Sequence, residues 1–378
     1  MNYDFSEQEF TLFVDIQKKL AALADTRPLD RRESAKTREN IDEVLALLAE
    51  SPYLKLGIQP VDGYQGQLTL MGAMEVVASV SPSAYLSVEA SMRLFGRAVA
   101  EWGTDAQKAE WLSPVLDGKR IGALALSETC LNIENDPLTT HGGKEGDSVV
   151  INGTKQYVIN APMADCIAVA GVLEDAHALF LIEKKASGLT IDPALETIGY
   201  EGTPISGIRL ENCRIPMDQV IFPPAKTDMP QALRMWENQI LLGASLGLCK
   251  TAFESARDHA KTHKSGGKPV IAYQEVGFKL AEMLTLFQTS QLLAYRTAWT
   301  AETTPKEAAE LILCAKVFCA ESAEQVSSEA LKILGGAGYI AGNIVERAYR
   351  CAKYGQIAGT STEIARVKIG DAALGYRN

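Results

Sequence analysis

The hydrophobic period of this chain changes twice along its length, and period constrains a fold more tightly than composition does. Up to residue 117 the apolar residues recur at three- and four-residue steps, as in FTLFVDIQKKLAALA and NIDEVLALLAE. That spacing predicts amphipathic helices. From 118 to 224 the step shortens: SVVINGTKQYVIN, IAVAGV, HALFLIEKK and SGIRLENCRIP are short β-branched runs with turn residues between them. Asn152-Gly153, flanked by two such runs, predicts a hairpin turn. No helical period separates these runs, which favours an antiparallel sheet over a doubly wound parallel one. From 225 to 378 long helical patterns return, first in PQALRMWENQILLGASLGLCKTAFESARDHAKTH and last in TPKEAAELILCAKVFCAESAEQVSSEALKIL. Long neighbouring helices with short connections predict a bundle. The expected division is therefore 1–117, 118–224 and 225–378, in an α+β chain that is mostly α. A length of 378 residues leaves room for two or three packed regions.

Composition narrows the function. A formal net charge of −10 opposes a broad nucleic-acid surface, which needs a basic field. Seven cysteines, Cys130, Cys166, Cys213, Cys249, Cys314, Cys319 and Cys351, form no CxxC pair, so neither a zinc ribbon nor a disulfide framework is expected. No apolar run reaches bilayer length and the start MNYDFSEQEF is acidic; no membrane span and no signal peptide are expected, and the cytoplasm or an organelle matrix is the expected location.

Three motifs bear on chemistry. Gly336-Ala337-Gly338-Tyr339-Ile340-Ala341 matches a GxGxxA dinucleotide fingerprint, but that fingerprint needs a strand before it. Here the preceding SSEALKIL is helical in period, so Gly335 and Gly336 read as a helix C-cap. His259 and His263 stand four apart and share a helix face, yet Ala260 occupies the place of a zinc protease's Glu and no third ligand is evident. No metal site is expected. Glu237 lies four residues after Leu233 and three and four before Ile240 and Leu241, so a helix carries it on an apolar face. Burial disfavours its ionised form and suits it to act as a base. The alternative is a structural carboxylate paired with Arg234 or Lys250.

Four stretches, in order, resemble the acyl-CoA dehydrogenase family along nearly the whole chain: FGRAVAEWGTDAQKAEWLSPVLDGKRIGALALSE, GDSVVINGTKQYVIN, ISGIRLENCRIPMDQVI and ILGGAGYIAGNIVERAYRCAKYGQIAGTSTEIAR. The resemblance implies an N-terminal helical domain, a central antiparallel β-barrel-like sheet and a C-terminal four-helix bundle. It implies FAD between sheet and bundle, with its adenosine end reaching a neighbouring subunit of a homotetramer, or of a heterotetramer with a related chain. It also implies a Glu that takes the α-proton of an acyl-CoA thioester as hydride passes to the flavin, and an electron-transfer flavoprotein as acceptor. Such an enzyme acts in fatty-acid, branched-chain, sterol or ring-acid breakdown.

The family's usual base precedes a Gly-Thr pair, and this chain has Ala358-Gly359-Thr360 there. A minority, including isovaleryl-CoA and long-chain enzymes, take the base from the first long bundle helix, and Glu237 matches that position. A backbone amide at Ala358 or Gly359 remains to polarise the carbonyl. Ser127, Gln274 and Thr360 match cofactor positions, and Gly336 falls in the Gly-Gly-x-Gly stretch beside the adenosine. The family's Trp-Ile-Thr is Tyr157-Val158-Ile159, its diphosphate-binding Arg is His263, and its Gln near the adenosine is Lys332. Its Glu-Pro-Gly-Ala-Gly-Ser-Asp loop is Glu128-Thr129-Cys130-Leu131-Asn132-Ile133-Glu134. These departures suit a second reading, a non-catalytic or half-catalytic subunit of a heteromeric acyl-CoA dehydrogenase.

Overall fold

The computed structural model describes residues 4–31, 36–129 and 136–376, and its elements run helical, β, then helical. The first region holds α1 (Glu7–Thr26), α2 (Thr37–Ala49), α3 (Gln67–Val80), α4 (Pro82–Glu89), α5 (Arg97–Trp102), α6 (Asp105–Gln107) and α7 (Ser113–Leu116). A capping box of Ser6 and Glu9 starts α1, satisfying amide groups that a helix cannot satisfy for itself. Every residue of α3 from Leu68 to Ala78 is buried, so it is the central helix of this region.

The middle region is one eight-stranded sheet of β1 (Gly122–Ala125), β2 (His141–Glu145), β3 (Ser148–Ile159), β4 (Cys166–Leu173), β5 (Ala176–Glu183), β6 (Leu189–Ile191), β7 (Ile205–Pro216) and β8 (Val220–Ile221). The order is β6-β7-β3-β2-β4-β5-β8, with β1 also on β4. Two expectations need correction. The sheet is mixed rather than wholly antiparallel, because β1 and β2 both pair parallel with β4, at Gly122–Ala125 and His141–Gly142. The β2–β3 hairpin itself carries the chain across, so no crossover helix is needed. The hairpin turn is not at Asn152-Gly153 but at Gly146-Asp147, where Glu145 pairs with Ser148 and Gly146 has φ 61°. Asn152 and Gly153 lie inside β3, at a register shift against β7. Asn152 Oδ1 accepts from Asn212 N at 2.8 Å, and a Cβ on Gly153 would stand 2.5 Å from Thr140 Oγ1. The glycine permits a close crossing rather than a turn.

The last region contains α8 (Met229–Thr262), α9 (Gln274–Thr303), α10 (Pro305–Leu334), α11 (Ile344–Ile357) and α12 (Thr362–Ala373). A two-stranded ribbon of β9 (Lys264–Ser265) and β10 (Lys268–Pro269) joins α8 to α9. Gly335, at φ 57°, is the C-cap of α10, and Gly336 follows in a 3₁₀ turn. No helix among the described residues is long and apolar enough to cross a membrane.

Candidate functional site

A cleft opens where the sheet meets the first turns of α8. Asp228 caps α8 through Gln231 N, and three residues of the opening turns, Leu233, Arg234 and Glu237, face the sheet across the cleft. The opposite wall is Leu124, Leu126, Ser127, Gln156, Tyr157 and Ile159, with Ala90 and Leu94 closing one side. Gln156 N donates to Ser127 O at 2.9 Å, fixing the wall's two segments together. Tyr157 sits at a register shift with φ 56°, and its side chain is turned outward and exposed. Behind this wall Lys155 and Glu128 form an ion pair of 2.7 Å, both fully buried. Cys130 to Glu134, matched above to the flavin loop, lie outside the described residues.

Both alternatives for Glu237 meet at this cleft. Leu233, Ile240 and Leu241 are buried as their spacing requires. Glu237 is not an isolated carboxylate, however: Arg234 Nη1 donates to its Oε2 at 2.9 Å. Arg234 Nη2 reaches across to Ser127 Oγ at 3.0 Å. Lys250, the other candidate partner, goes to Glu75 instead. Arg234 Nε is buried with no hydrogen-bond partner among the described residues, a donor that a bound, acceptor-rich group would satisfy.

The loop 358–361 stands beside α8. Ala358 N donates to Tyr354 O at 2.9 Å and closes α11. Thr360 is buried, its N–H donating to Asn238 Oδ1 at 2.9 Å while Asn238 Nδ2 donates to its Oγ1 at 3.0 Å. Ser361 Oγ accepts from Ile364 N and starts α12. Gly359 has φ 63°, and a Cβ there would stand 2.4 Å from Asn238 Oδ1, so the loop seats on α8 only with glycine. Beneath it Lys316 Nζ donates to the carbonyls of Gly355, Ala358 (3.0 Å) and Thr360 (3.1 Å). Burial pulls the Lys316 ammonium down to about 8, against the charges of Glu237 and Glu363, which raise it.

The remaining candidates stand elsewhere. His263 ends α8, roughly 39 Å along the helix axis from Glu237 at 1.5 Å per residue. It stacks on His259 at 4.6 Å, and His259 is lowered by burial and then by His263. Gln274 starts α9, and Lys332 lies near the end of α10, where Glu329 bridges it to Lys279 of α9. His263, Gln274, Lys332 and Gly336 thus share one end of the bundle and are all exposed. Ser127, Ile159, Glu237 and Thr360 share the other. Among the described residues no group of three or more His, Cys, Asp or Glu could hold a metal ion.

Sequence reasoning missed Asn238, Lys316 and the Lys155–Glu128 pair. Lys316 carried a signal: it lies three after Leu313 and three and four before Cys319 and Ala320, all buried. A lysine on an apolar stripe needs partners.

Helical, sheet and helical regions meeting at a cleft with a carboxylate and a clamped Gly-Thr loop define a flavin-type oxidoreductase fold. The chain belongs to the acyl-CoA dehydrogenase family. The models of that family's N-terminal, middle and C-terminal domains match residues 14–119, 123–213 and 234–374. The human mitochondrial short-chain specific acyl-CoA dehydrogenase is 31% identical over 318 residues, covering 81% of this chain and 76% of that protein. The 3-(aryl)acrylate reductase of Clostridium sporogenes (strain ATCC 15579) is 27% identical over 379 residues, covering 98% of this chain and 96% of that protein. Among solved structures, butyryl-CoA dehydrogenase of Megasphaera elsdenii shares the fold with a TM-score of 0.89 at 23% identity, covering 99% of this chain and 100% of that one.

Proposed function

We propose that the chain is an FAD-dependent acyl-CoA dehydrogenase in which Glu237 removes the α-proton of the acyl thioester, giving a 2-enoyl-CoA. The observation that carries this reading is the meeting of Glu237, Arg234, Ser127 and Ile159 in one cleft between sheet and bundle. Bound FAD supplies the acceptor for the β-hydride, and an electron-transfer flavoprotein is the proposed onward acceptor. The cleft fits such a group: its sheet wall sets apolar Leu124, Leu126 and Ile159 beside polar Ser127 and Gln156, and the buried Arg234 Nε is a donor awaiting an acceptor. The chain's own part is to hold the thioester, polarise its carbonyl and take one proton, because the α-carbon is a weak acid.

The far-end residues His263, Gln274, Lys332 and Gly336 fit the adenosine end of a neighbouring subunit's cofactor, as they are too distant to serve the cleft of their own chain. Tyr339 and Ile340, 93% and 66% exposed beside Gly336, support self-association there. The purified chain alone should therefore scatter light as a tetramer and show a flavin band; a stable monomer at micromolar concentration would defeat the assembly. A colourless chain that gains flavin and activity only with a related partner chain would favour the degenerate-subunit reading. That reading draws on Ile159, which offers no hydroxyl to the cleft.

A further inference from the structure

Closing a helix on a glycine or on water costs little, whereas burying an ammonium is expensive unless every proton finds an acceptor. At the end of α11 this chain does the second: Lys316, 1% exposed, meets three carbonyls, those of Gly355, Ala358 and Thr360. We infer that Lys316 is a positioning residue that, by gathering these carbonyls, turns the Gly359 N–H outward as the donor that polarises the thioester carbonyl beside Glu237. This rests on the proposal that the cleft takes an acyl-CoA.

The geometry follows from the peptide plane. In a trans peptide the N–H points opposite to the C=O, so the grip of Lys316 on Ala358 O directs the Gly359 N–H away from Lys316 and the bundle interior. The neighbouring amides are already committed. Ala358 N–H closes α11 on Tyr354 O and Thr360 N–H is taken by Asn238 Oδ1. The Gly359 N–H has no hydrogen bond to the described residues. Gly359 packs against Asn238 and Leu241, which places this peptide within a turn of Glu237 on α8. Of the two amides that the sequence left open, Ala358 and Gly359, only the second is available. Charged groups face Lys316 from α8 through Glu237 and from α12 through Glu363, while α11 and its loop meet it with carbonyls. Its ammonium, pulled down to about 8 by burial, has one proton for each of the three carbonyls; above that pH one donor and the positive charge are lost, and the grip weakens.

Acetyl-CoA labelled with carbon-13 at its carbonyl is a suitable probe on the holoenzyme, because an acetyl group has no β-carbon and no hydride can leave. Difference infrared spectroscopy then reads polarisation without turnover. In the unaltered protein at about pH 7 the bound carbonyl stretch should fall below that of free acetyl-CoA, and it should relax back as pH rises through about 8. Lys316→Met should abolish most of the shift at all pH values while acetyl-CoA still binds. Lys316→Arg should keep part of it and lose the pH dependence. With a turned-over acyl-CoA, Lys316→Met should lower kcat by about 10²-fold and leave KM nearly unchanged, as expected when a catalytic group is displaced by about an ångström. A Lys316→Met stretch that stays as far below that of free acetyl-CoA as in the unaltered protein would overturn the inference. Should that variant fail to fold, Lys316→Gln, whose amide has two N–H donors for the three carbonyls, takes its place, and a shift there equal to that of the unaltered protein overturns the inference equally. If the unaltered protein binds neither acetyl-CoA nor any longer acyl-CoA, the acyl-CoA reading itself fails and takes this one with it.

Discussion

Replacing Glu237 by Gln should leave the fold, flavin content and acyl-CoA binding intact while slowing flavin reduction by ~10²–10⁴-fold, the usual cost of removing a general base. Glutamine keeps the length of the side chain and an oxygen to accept from Arg234 Nη1, now 2.9 Å from Glu237 Oε2, so the cleft wall stays in place. What it cannot do is hold a proton. The loss should be near the upper end of that range, because Ala358 and Gly359 in the loop beside α8 have no side chain that accepts a proton. The measurement is a single-turnover mix with an acyl-CoA, followed at the flavin band. An unchanged bleaching rate would return Glu237 to the role of a structural partner of Arg234. The same mix with Lys316→Met would still reduce flavin, more slowly, which separates the base from the residue that positions the carbonyl donor.

The parts of this chain that the sequence made legible are those written in a repeating step. Apolar periods of three and four marked α1, α2, α8, α9 and α10, and short β-branched runs marked β3, β4, β5 and β7. The hairpin turn was misplaced because Asn152-Gly153 and Gly146-Asp147 are both turn-formers a few residues apart, and only the pairing of β2 with β3 selects between them. The parallel contacts of β1 and β2 with β4 depend on pairing between distant segments, which has no local signature. At the site, the placement of Glu237 near Leu233 and Ile240 was legible from spacing, and so was Arg234 as a possible partner one turn away. The reach of Arg234 to Ser127 was not, since 107 residues separate them. Lys316 was missed although it lies on an apolar stripe, and the carbonyls that satisfy it come from another helix and its loop. His263, Gln274, Lys332 and Gly336 were singled out as cofactor positions through the family resemblance alone, and no local pattern marks that they share one end of the bundle.

Lys155→Met should destabilise the chain by about 3–5 kcal/mol, the cost of removing one partner from a buried pair and leaving the other charge behind. Lys155 and Glu128 are 0% and 1% exposed, and their contact is 2.7 Å. Glu128 also accepts from Thr139 N, Thr139 Oγ1 and Thr140 N, so methionine would strand a carboxylate still tied to three neutral donors. Replacing both partners by apolar residues of similar size should cost less than Lys155→Met alone, because no unpaired charge remains. Denaturant unfolding of the unaltered protein and the two variants measures this directly; a double variant less stable than Lys155→Met would mean the pair is worth more than its desolvation. Acid should expose the same interaction. Burial pushes the Glu128 carboxyl up, but Lys155 and then Thr139 outweigh it and hold it at about 2, below its ordinary 4.5. A depressed carboxyl stabilises the fold above its unfolded value, so this contribution is complete above about 4.5 and is lost as pH falls toward about 2. In Lys155→Met that part of the acid sensitivity should shrink. The consequence reaches the cleft, because Lys155 Nζ also donates to Leu126 O at 3.0 Å, and Leu126 and Ser127 form its wall. Loss of the lysine should therefore release flavin at denaturant concentrations below those that unfold the helices. Flavin release and helix unfolding that stay coincident in Lys155→Met would show that the pair supports the whole fold and not the wall in particular.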